Sequence, residues 1–499
     1  MDFRLYNTRT RSVEALRTLR EGQLRFYACG PTVYSYAHIG NFRSFLTSDL
    51  IFRTAAAIGW DVVYATNITD VGHLTEDDYA DAGGEDRMVR ALRSKEGERF
   101  ANIYDLARYY ASVLLDDWRA LNLREPTVRP RASEHVTDQI EAIERLIAAG
   151  HAYETSQGVY FHVPSFSKYG ALSGNDAADQ LEQSVRDVVV DPEKRDPRDF
   201  ALWKKDEKHL MQWYSPFGRG FPGWHIECSV MALRYLGDEL DLHAGGEDLI
   251  FPHHECEIAQ SESLTGKTFA RYWVHTRFLQ VEGEKMSKSK GNFFTVRQLI
   301  APEEDGGRGI DPLALRYALI SGKYREPFNF TMKHLRDSAK VVRRYQDARA
   351  AVLEAAKGSE QNGEDRLGPR LDATYDATLE AMLDDLNTPI ALARALEGVK
   401  LIQGFGPLDP GAARSALRWF ERINALLGFV YPEDEGGAGK ASTEATDPLA
   451  ERVEALLAER TQARGRRDFA RADAIRAELD DLGIEVMDRP DGTSWRRKI

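Results

Sequence analysis

The chain has 499 residues, 42% hydrophobic and 29% charged, which describes a soluble globular protein too long for one ordinary core. No apolar run approaches the roughly 18 residues that span a bilayer, and three cysteines are too few for a disulfide framework. The formal net charge of −13 does not exclude a polyanionic partner, because phosphate contacts need only a local basic face. The Arg-rich first twenty residues lack the apolar core of a secretory signal, and Phe3-Arg4-Leu5-Tyr6-Asn7 predicts an opening strand, so a cytoplasmic protein is expected.

Residues 24–29 predict a buried strand that ends at Gly30-Pro31. The loop then runs through His38-Ile39-Gly40-Asn41 into a helix to about Ile58, with Gly59 as its stop, and residues 61–69 predict the next strand. This is a β-loop-α-β unit, in which chemistry sits where strand ends meet a helix N-terminus. Helical periodicity covers 85–121 and 133–149, and 152–163 predicts a hairpin turning near Ser156-Gln157-Gly158. The turn-rich stretch 165–222 reads as part of an insertion. A helix over 224–235 and a strand over 240–243, leading to Gly245-Gly246, resume the sheet. Beyond Lys285-Met286-Ser287-Lys288-Ser289, residues 310–430 are mostly amphipathic helix, broken at 357–369. Residues 432–448 read as a flexible acidic linker, and the last fifty as two helices with a short β-like end at 484–487 and 493–495.

All three cysteines lie beside other metal-ligating residue types. Cys29 ends the first buried strand, Cys228 closes Trp224-His225-Ile226-Glu227-Cys228, and Cys256 lies in Phe251-Pro252-His253-His254-Glu255-Cys256-Glu257. On a helix begun near Pro252, His253 and Glu257 are i,i+4 neighbours, and with Cys29 and Cys228 they would complete a tetrahedral Zn²⁺ site. His253 and Cys256, at i,i+3, also share a face and would give a Cys₃His site instead. A third reading leaves Cys29 and Cys228 as buried thiols without a metal.

The His38-Ile39-Gly40-Asn41 and Lys285-to-Ser289 segments, in that order, resemble the two signatures of class I aminoacyl-tRNA synthetases. Cys29 to Tyr34, Asn67-Ile68-Thr69-Asp70, Pro222 to Cys228, Phe251 to Glu255, Asp385-Leu386-Asn387-Thr388-Pro389 and Trp495 to Lys498 extend the resemblance, essentially end to end, to the cysteinyl-tRNA synthetase family. The resemblance implies an α/β fold: a Rossmann-like parallel-sheet catalytic domain with an insertion, then an α-helical bundle and a small C-terminal RNA-binding module. The expected division is 1–120 and 223–310 for the catalytic halves, 121–222 for the connective insertion, 311–430 for the stem-contact region and bundle, 431–448 for the linker and 449–499 for anticodon recognition.

The implied reaction joins L-cysteine to ATP, with Mg²⁺, and then transfers the cysteinyl group to tRNA-Cys; a monomer is expected. The resemblance assigns one Zn²⁺ to Cys29, Cys228, His253 and Glu257, leaving Cys256 aside at a position where Asn is familiar. His38, Gly40 and Asn41 at a helix start would meet the ATP phosphates, although Asn41 replaces the second His of the name motif. Lys285 and Lys288 would stabilise the departing pyrophosphate. Gly245 would allow close approach of the nucleotide and Asp248 would take a ribose hydroxyl, its bland alternative being a helix N-cap. Thr69, Trp224 and His243 would surround the amino acid, though a core aromatic and a satisfied buried histidine are the commoner roles of the last two types. A basic face near the C-terminus, including Arg460, Arg464, Arg466, Arg467, Arg471 and Arg476, would contact RNA or else form an ion-paired exposed helix.

Overall fold

A computed structural model describes residues 2–72, 86–174, 191–287, 290–357, 365–433, 456–457, 459–460, 463, 468–481, 484–489 and 492–497, with backbone alone at 469–470 and from 480 onward. The chain divides into two compact units, Met1–Gly436 and Gly437–Ile499. Among the described residues no helix is long and apolar enough to cross a membrane.

The first unit is built on a four-stranded parallel sheet in the order Ala270–Thr276, Leu240–Gly246, Gln23–Ala28, Asp61–Thr66. Its central strands are buried on both faces, the pattern expected of a parallel sheet covered by helices. Strand order reverses between Gln23–Ala28 and Leu240–Gly246, where Tyr27 pairs with His243 and Ala28 with Ala244. Ligands in open α/β sheets bind beyond the carboxyl ends of strands at such a switch point. The Asp61–Thr66 strand stops three residues short of the span expected from sequence. From there Asn67 turns back, its Oδ1 accepting from Gly30 N at 2.8 Å, and a Cβ on Gly30 would lie 1.7 Å from the Asn67 carbonyl oxygen. Only glycine fits that crossing.

The expected helix over 85–121 is two helices, Arg87–Leu92 and Ile103–Ala120, because the chain turns at Gly97, whose absent Cβ would sit 2.3 Å from the carbonyls of Ala91 and Leu92. The insertion carries the Val136–Ala148 helix and a four-stranded antiparallel sheet, Ala152–Glu154, Gly158–Phe161, Phe200–Lys205 and Gly220–Pro222, with the hairpin turn where the sequence predicts it. It has its own core, in which Phe161, Phe200 and Leu202 meet Ile226 and Cys256.

The helical region contains Met332–Ala355, Gly368–Leu383, Thr388–Gly404 and Pro410–Leu427, and one short strand, Phe328–Phe330, that the helical periodicity hides. The Trp419 ring fills the space a Cβ on Gly398 would need, 2.1 Å from its Cζ2. In the second unit a helix, Phe469–Asp481, precedes an antiparallel hairpin of Ile484–Arg489 and Gly492–Arg497. The earlier of its two expected helices lies largely outside the described residues, as do Arg464, Arg466 and Arg467.

Candidate metal centre and signature loops

Cys29 leaves the sheet at the switch point, Cys228 rises from the Trp224–Leu236 helix, and Glu257 sits in the first turn of the Glu255–Thr265 helix. His253 precedes that helix in a turn where Phe251 is extended (φ −138°, ψ 133°). The donor atoms of Cys29, Cys228, His253 and Glu257 all lie within 4.8 Å of one another, and all four residues are buried. Cys29 Sγ is 3.9 Å from Cys228 Sγ and 3.4 Å from Glu257 Oε1, and His253 Nε2 is 3.0 Å from that same oxygen.

The cluster is electrostatically crowded. Burial pushes the Cys29 thiol well up, and the neighbouring Cys228 and Glu257 push it further. The hydrogen bond from Cys29 lowers the Cys228 thiol to about 6 despite its burial. Burial opposes ionisation of both Glu257 and His253, yet each favours the charge of the other: with His243 and His253 beside it the Glu257 carboxyl stays well below its usual range, and His253 rises to about 10. Two thiols, a carboxylate and an imidazole converging in a buried space fit a divalent, borderline-soft cation, whose charge would relieve the repulsion that raises Cys29.

Imidazoles unassigned by the sequence reading surround this cluster. His225 Nδ1 lies 2.8 Å from His253 Nδ1, which turns the His253 Nε2 toward Glu257. His254 Nε2 is 3.4 Å from Cys29 Sγ, and its Nδ1 is 2.8 Å from His275 Nε2, whose other nitrogen meets Thr8 Oγ1 at 2.7 Å. Burial holds His254 well below the ordinary histidine range and His275 at about 3, so both are neutral walls. Cys29, His243, His254 and Glu257 form a second donor group sharing two members with the first. The available signal was the density of histidine: twelve occur in the chain, and His225, His243, His253, His254 and His275 are all here.

Cys256 belongs to neither donor group. It points to the insertion core, with its Sγ 3.5 Å from the Tyr169 hydroxyl. Its neighbour Glu255, also missed in the sequence, accepts from Gly170 N, Leu172 N, Ser173 N and Ser173 Oγ at 2.7–3.0 Å, so the insertion grips the helix that carries Glu257.

The other candidate residues distribute around this centre. Trp224 stacks on His253 with centroids 4.2 Å apart. Thr69 is buried and its hydroxyl accepts from Asn67 Nδ2 at 2.9 Å. His243 is fully buried behind Glu257, its Nε2 3.0 Å from Oε2 and its ring stacked on Trp273. Gly245 is crowded by His254, whose Cε1 would lie 2.8 Å from an added Cβ, so its flank is already filled by protein. Asp248 is exposed in the Glu247–Leu249 turn; the cap position there is Gly246, with no side-chain cap bond.

His38 caps the Ile39–Ala57 helix: its Nδ1 accepts from Asn41 N at 3.2 Å while Asn41 Oδ1 accepts from His38 N at 3.1 Å. Asn41 therefore spends its carbonyl oxygen on the cap and leaves its amide N–H₂ as the donor end. The two signature segments meet. His38 pairs with Thr295, Ile39 N donates to Phe294 O at 3.1 Å, and a Cβ on Gly40 would lie 3.0 Å from Met286 Cε. Lys285 is exposed in the Glu284–Lys285 strand, and Asn292 staples its loop by accepting from Ser287 N at 2.8 Å. Lys288 lies outside the described residues. At the C-terminal module the exposed Arg471 is ion-paired with Glu459 at 2.8 Å, which favours the ion-paired reading for that position, whereas Arg460 is buried rather than exposed.

A family model described as "tRNA synthetases class I (C) catalytic domain" matches residues 15–340, and one described as "Cysteinyl-tRNA ligase anticodon binding domain" matches residues 446–496. A cysteine–tRNA ligase of Salinibacter ruber is 62% identical over 99% of this chain and 98% of its own length. Another, of Rhodospirillum rubrum, is 42% identical with 100% of both chains covered. In three dimensions the chain resembles Mycobacterium tuberculosis methionyl-tRNA synthetase in complex with methionyl-adenylate, at a TM-score of 0.57 and 15% identity over 83% of this chain and 92% of that one. It also resembles an Agrobacterium radiobacter LeuRS–tRNA–LeuAMS complex, at 0.58 and 10% identity over 83% and 85%. At such identities the structural likeness speaks for the α/β fold alone.

Proposed function

The chain belongs to the cysteine–tRNA ligase family of class I tRNA synthetases, and on that premise we propose that it activates L-cysteine with ATP and charges tRNA-Cys. A cysteine carboxylate oxygen attacks the α-phosphorus of Mg²⁺-bound ATP, the bond to the β-phosphate bridge breaks, and diphosphate leaves. A ribose hydroxyl of the 3′-terminal adenosine then attacks the adenylate carbonyl, and AMP leaves. The observation that carries this reading is one junction: the Cys29, Cys228, His253 and Glu257 donors converge at the switch point of the sheet whose next helix is capped by His38.

Those four residues are the proposed ligands of one Zn²⁺ per chain. When bound, the ion would supply a soft Lewis acid that favours a thiol substrate over a hydroxyl one. The protein does the rest. Trp224 and Thr69 bound the space for the amino acid. His243 orients Glu257 through the oxygen that the ligand cluster does not use. His38 and the helix N-terminus it caps, with the amide of Asn41, would hold ATP phosphates. Lys285 and Lys288 would neutralise charge on the leaving diphosphate, an interaction that grows in the transition state. Asp248, exposed beyond the strand end, would take the ribose. Gly245 earns its place in this reading less by nucleotide approach than by admitting the His254 ring. We further propose a cytoplasmic monomer.

Cysteine-dependent exchange of labelled pyrophosphate into ATP, followed by charging of tRNA-Cys, tests the reading. Both activities are expected from zinc-loaded protein, with serine supporting neither, since a pocket without a metal gains only about 1–3 kcal/mol from so small a difference. Exchange driven equally well by serine would place selectivity elsewhere and overturn the role of the metal.

A further inference from the structure

The loop that links Cys29 to His38 carries Tyr34 and Tyr36, and neither is used by the chemistry above. Tyr36 Oη is 2.9 Å from Tyr109 Oη, and its ring stands edge-on to Tyr110 with centroids 5.2 Å apart. The exposed Arg99 guanidinium lies 4.2 Å from the Tyr109 ring centroid and 4.7 Å from that of Phe100. Tyr36, Tyr109 and Phe100 are half-buried, so the cluster has an inner side on the core and an outer side on solvent.

Position and charge both distinguish this surface. Ala37, the residue after Tyr36, accepts from Val296 N at 3.2 Å, and His38 pairs with Thr295, so the cluster adjoins the place where the two signature segments meet. Residues 87–99 hold Arg87, Arg90, Arg93, Lys95 and Arg99 against Glu96 and Glu98, five positive and two negative charges in a chain of net −13. Aromatic rings interleaved with arginine in a locally basic segment are what unstacked bases and their phosphates bind: rings accept any base face, guanidinium stacks on it, and the charge tracks the backbone.

We propose that Tyr36, Tyr109 and Arg99 form a stacking shelf that receives the single-stranded 3′ end of the RNA substrate at the rim of the active site. The shelf rests on the proposed charging reaction, and it names the surface by which the acceptor strand is guided inward. The adenine of ATP has the same stacking chemistry but enters in the first half-reaction, so the two half-reactions separate the sources.

The test uses the full-length, zinc-loaded chain with Arg99→Ala, Tyr109→Leu and the conservative Tyr109→Trp. Pyrophosphate exchange, which needs no RNA, is expected to keep its kcat and its KM for ATP and cysteine. The KM for tRNA-Cys is expected to rise roughly tenfold in Arg99→Ala and Tyr109→Leu, the scale of one lost base–aromatic stack, and to return toward the parent in Tyr109→Trp. Fluorescence of a tRNA carrying 2-aminopurine in the unpaired 3′ strand, just before the terminal adenosine, should be quenched by the parent and by Tyr109→Trp but not by Tyr109→Leu. An unchanged tRNA KM, a raised ATP KM, or an exchange rate falling together with the thermal midpoint would each overturn the shelf. A parent protein that performs exchange but charges no tRNA would instead overturn the proposed function itself.

Discussion

Glu257 is the hinge of the metal centre at the scale of single residues. One carboxylate oxygen faces His253 and Cys29, the other His243, and the side chain is wholly buried. Its neighbour Cys256 faces the opposite way, into the core shared with the insertion. Spacing alone leaves i,i+3 and i,i+4 equally plausible, because both keep two residues on one helical face. What separates them is that the α-helix begins at Glu255, after His253, so the ideal-helix argument does not apply to that histidine. Zinc content after dialysis against a chelator should therefore be retained in Cys256→Ser and lost in Glu257→Ala. His225→Ala, which removes the partner orienting His253, should weaken metal affinity by about 10–100-fold without emptying the site at saturating zinc. A site emptied by Cys256→Ser and filled in Glu257→Ala would restore the Cys₃His assignment.

Between elements, a buried ion network on the Ile39–Ala57 helix ties the helical region to the sheet. Asp49 Oδ2 accepts from Arg53 Nε at 2.8 Å and from Arg316, and its Oδ1 accepts from Arg124 N at 2.7 Å. Arg53 continues to the carbonyls of Ala425 and Asn122, Arg316 to those of Leu427 and Leu121, and Glu433 closes on Arg53 at 2.6 Å. Asp49 thus bridges two buried guanidinium groups that fasten the helical region to the sheet domain, and Glu433 supplies a second carboxylate to Arg53. Asp49→Asn should cost about 3–5 kcal/mol in chemical denaturation, because it strands those charges rather than merely deleting a pair. A loss below about 1 kcal/mol would mean that Glu433 and the carbonyls suffice. Only the i,i+4 spacing of Asp49 and Arg53 is local in the sequence; Arg316 and Glu433 become their partners only through folding. By contrast the strand before Gly30, the capped helix at His38 and the hairpin at residues 152–163 were legible, because turn chemistry and period are properties of neighbours in the chain. The break at Gly97 was not, since its cause is a close approach between backbones. The Asp385-Leu386 segment was legible only as a motif; its physical role is to hold Tyr6 N and the Tyr324 hydroxyl on Asp385 Oδ1, at 2.8 and 2.6 Å.

The whole chain separates into a unit that buries its own core through Val430 and a second unit beginning at Gly437. The first contains the metal-ligand candidates and both signature segments, while the match to an anticodon-binding domain falls on residues 446–496. The two half-reactions should therefore respond differently to truncation. The cut belongs after Gly436 rather than earlier, because Glu433 pairs with Arg53 and with Arg124 at 2.7 Å, and losing it would disturb the first unit for reasons unrelated to RNA. Protein ending there should perform cysteine-dependent pyrophosphate exchange at a rate close to the parent. Its charging of tRNA-Cys should fall, chiefly through a raised KM, and the deficit should shrink at low salt, where the phosphate contacts left to the first unit are strongest. Arg471 is committed to Glu459, so the contribution of the second unit need not scale with its count of arginines, and Arg471→Ala alone should weaken charging less than removal of the unit. Measuring both reactions across a salt series decides the matter: exchange and charging lost in proportion at every salt concentration would mean that residues 437–499 stabilise the catalytic unit instead of recognising RNA.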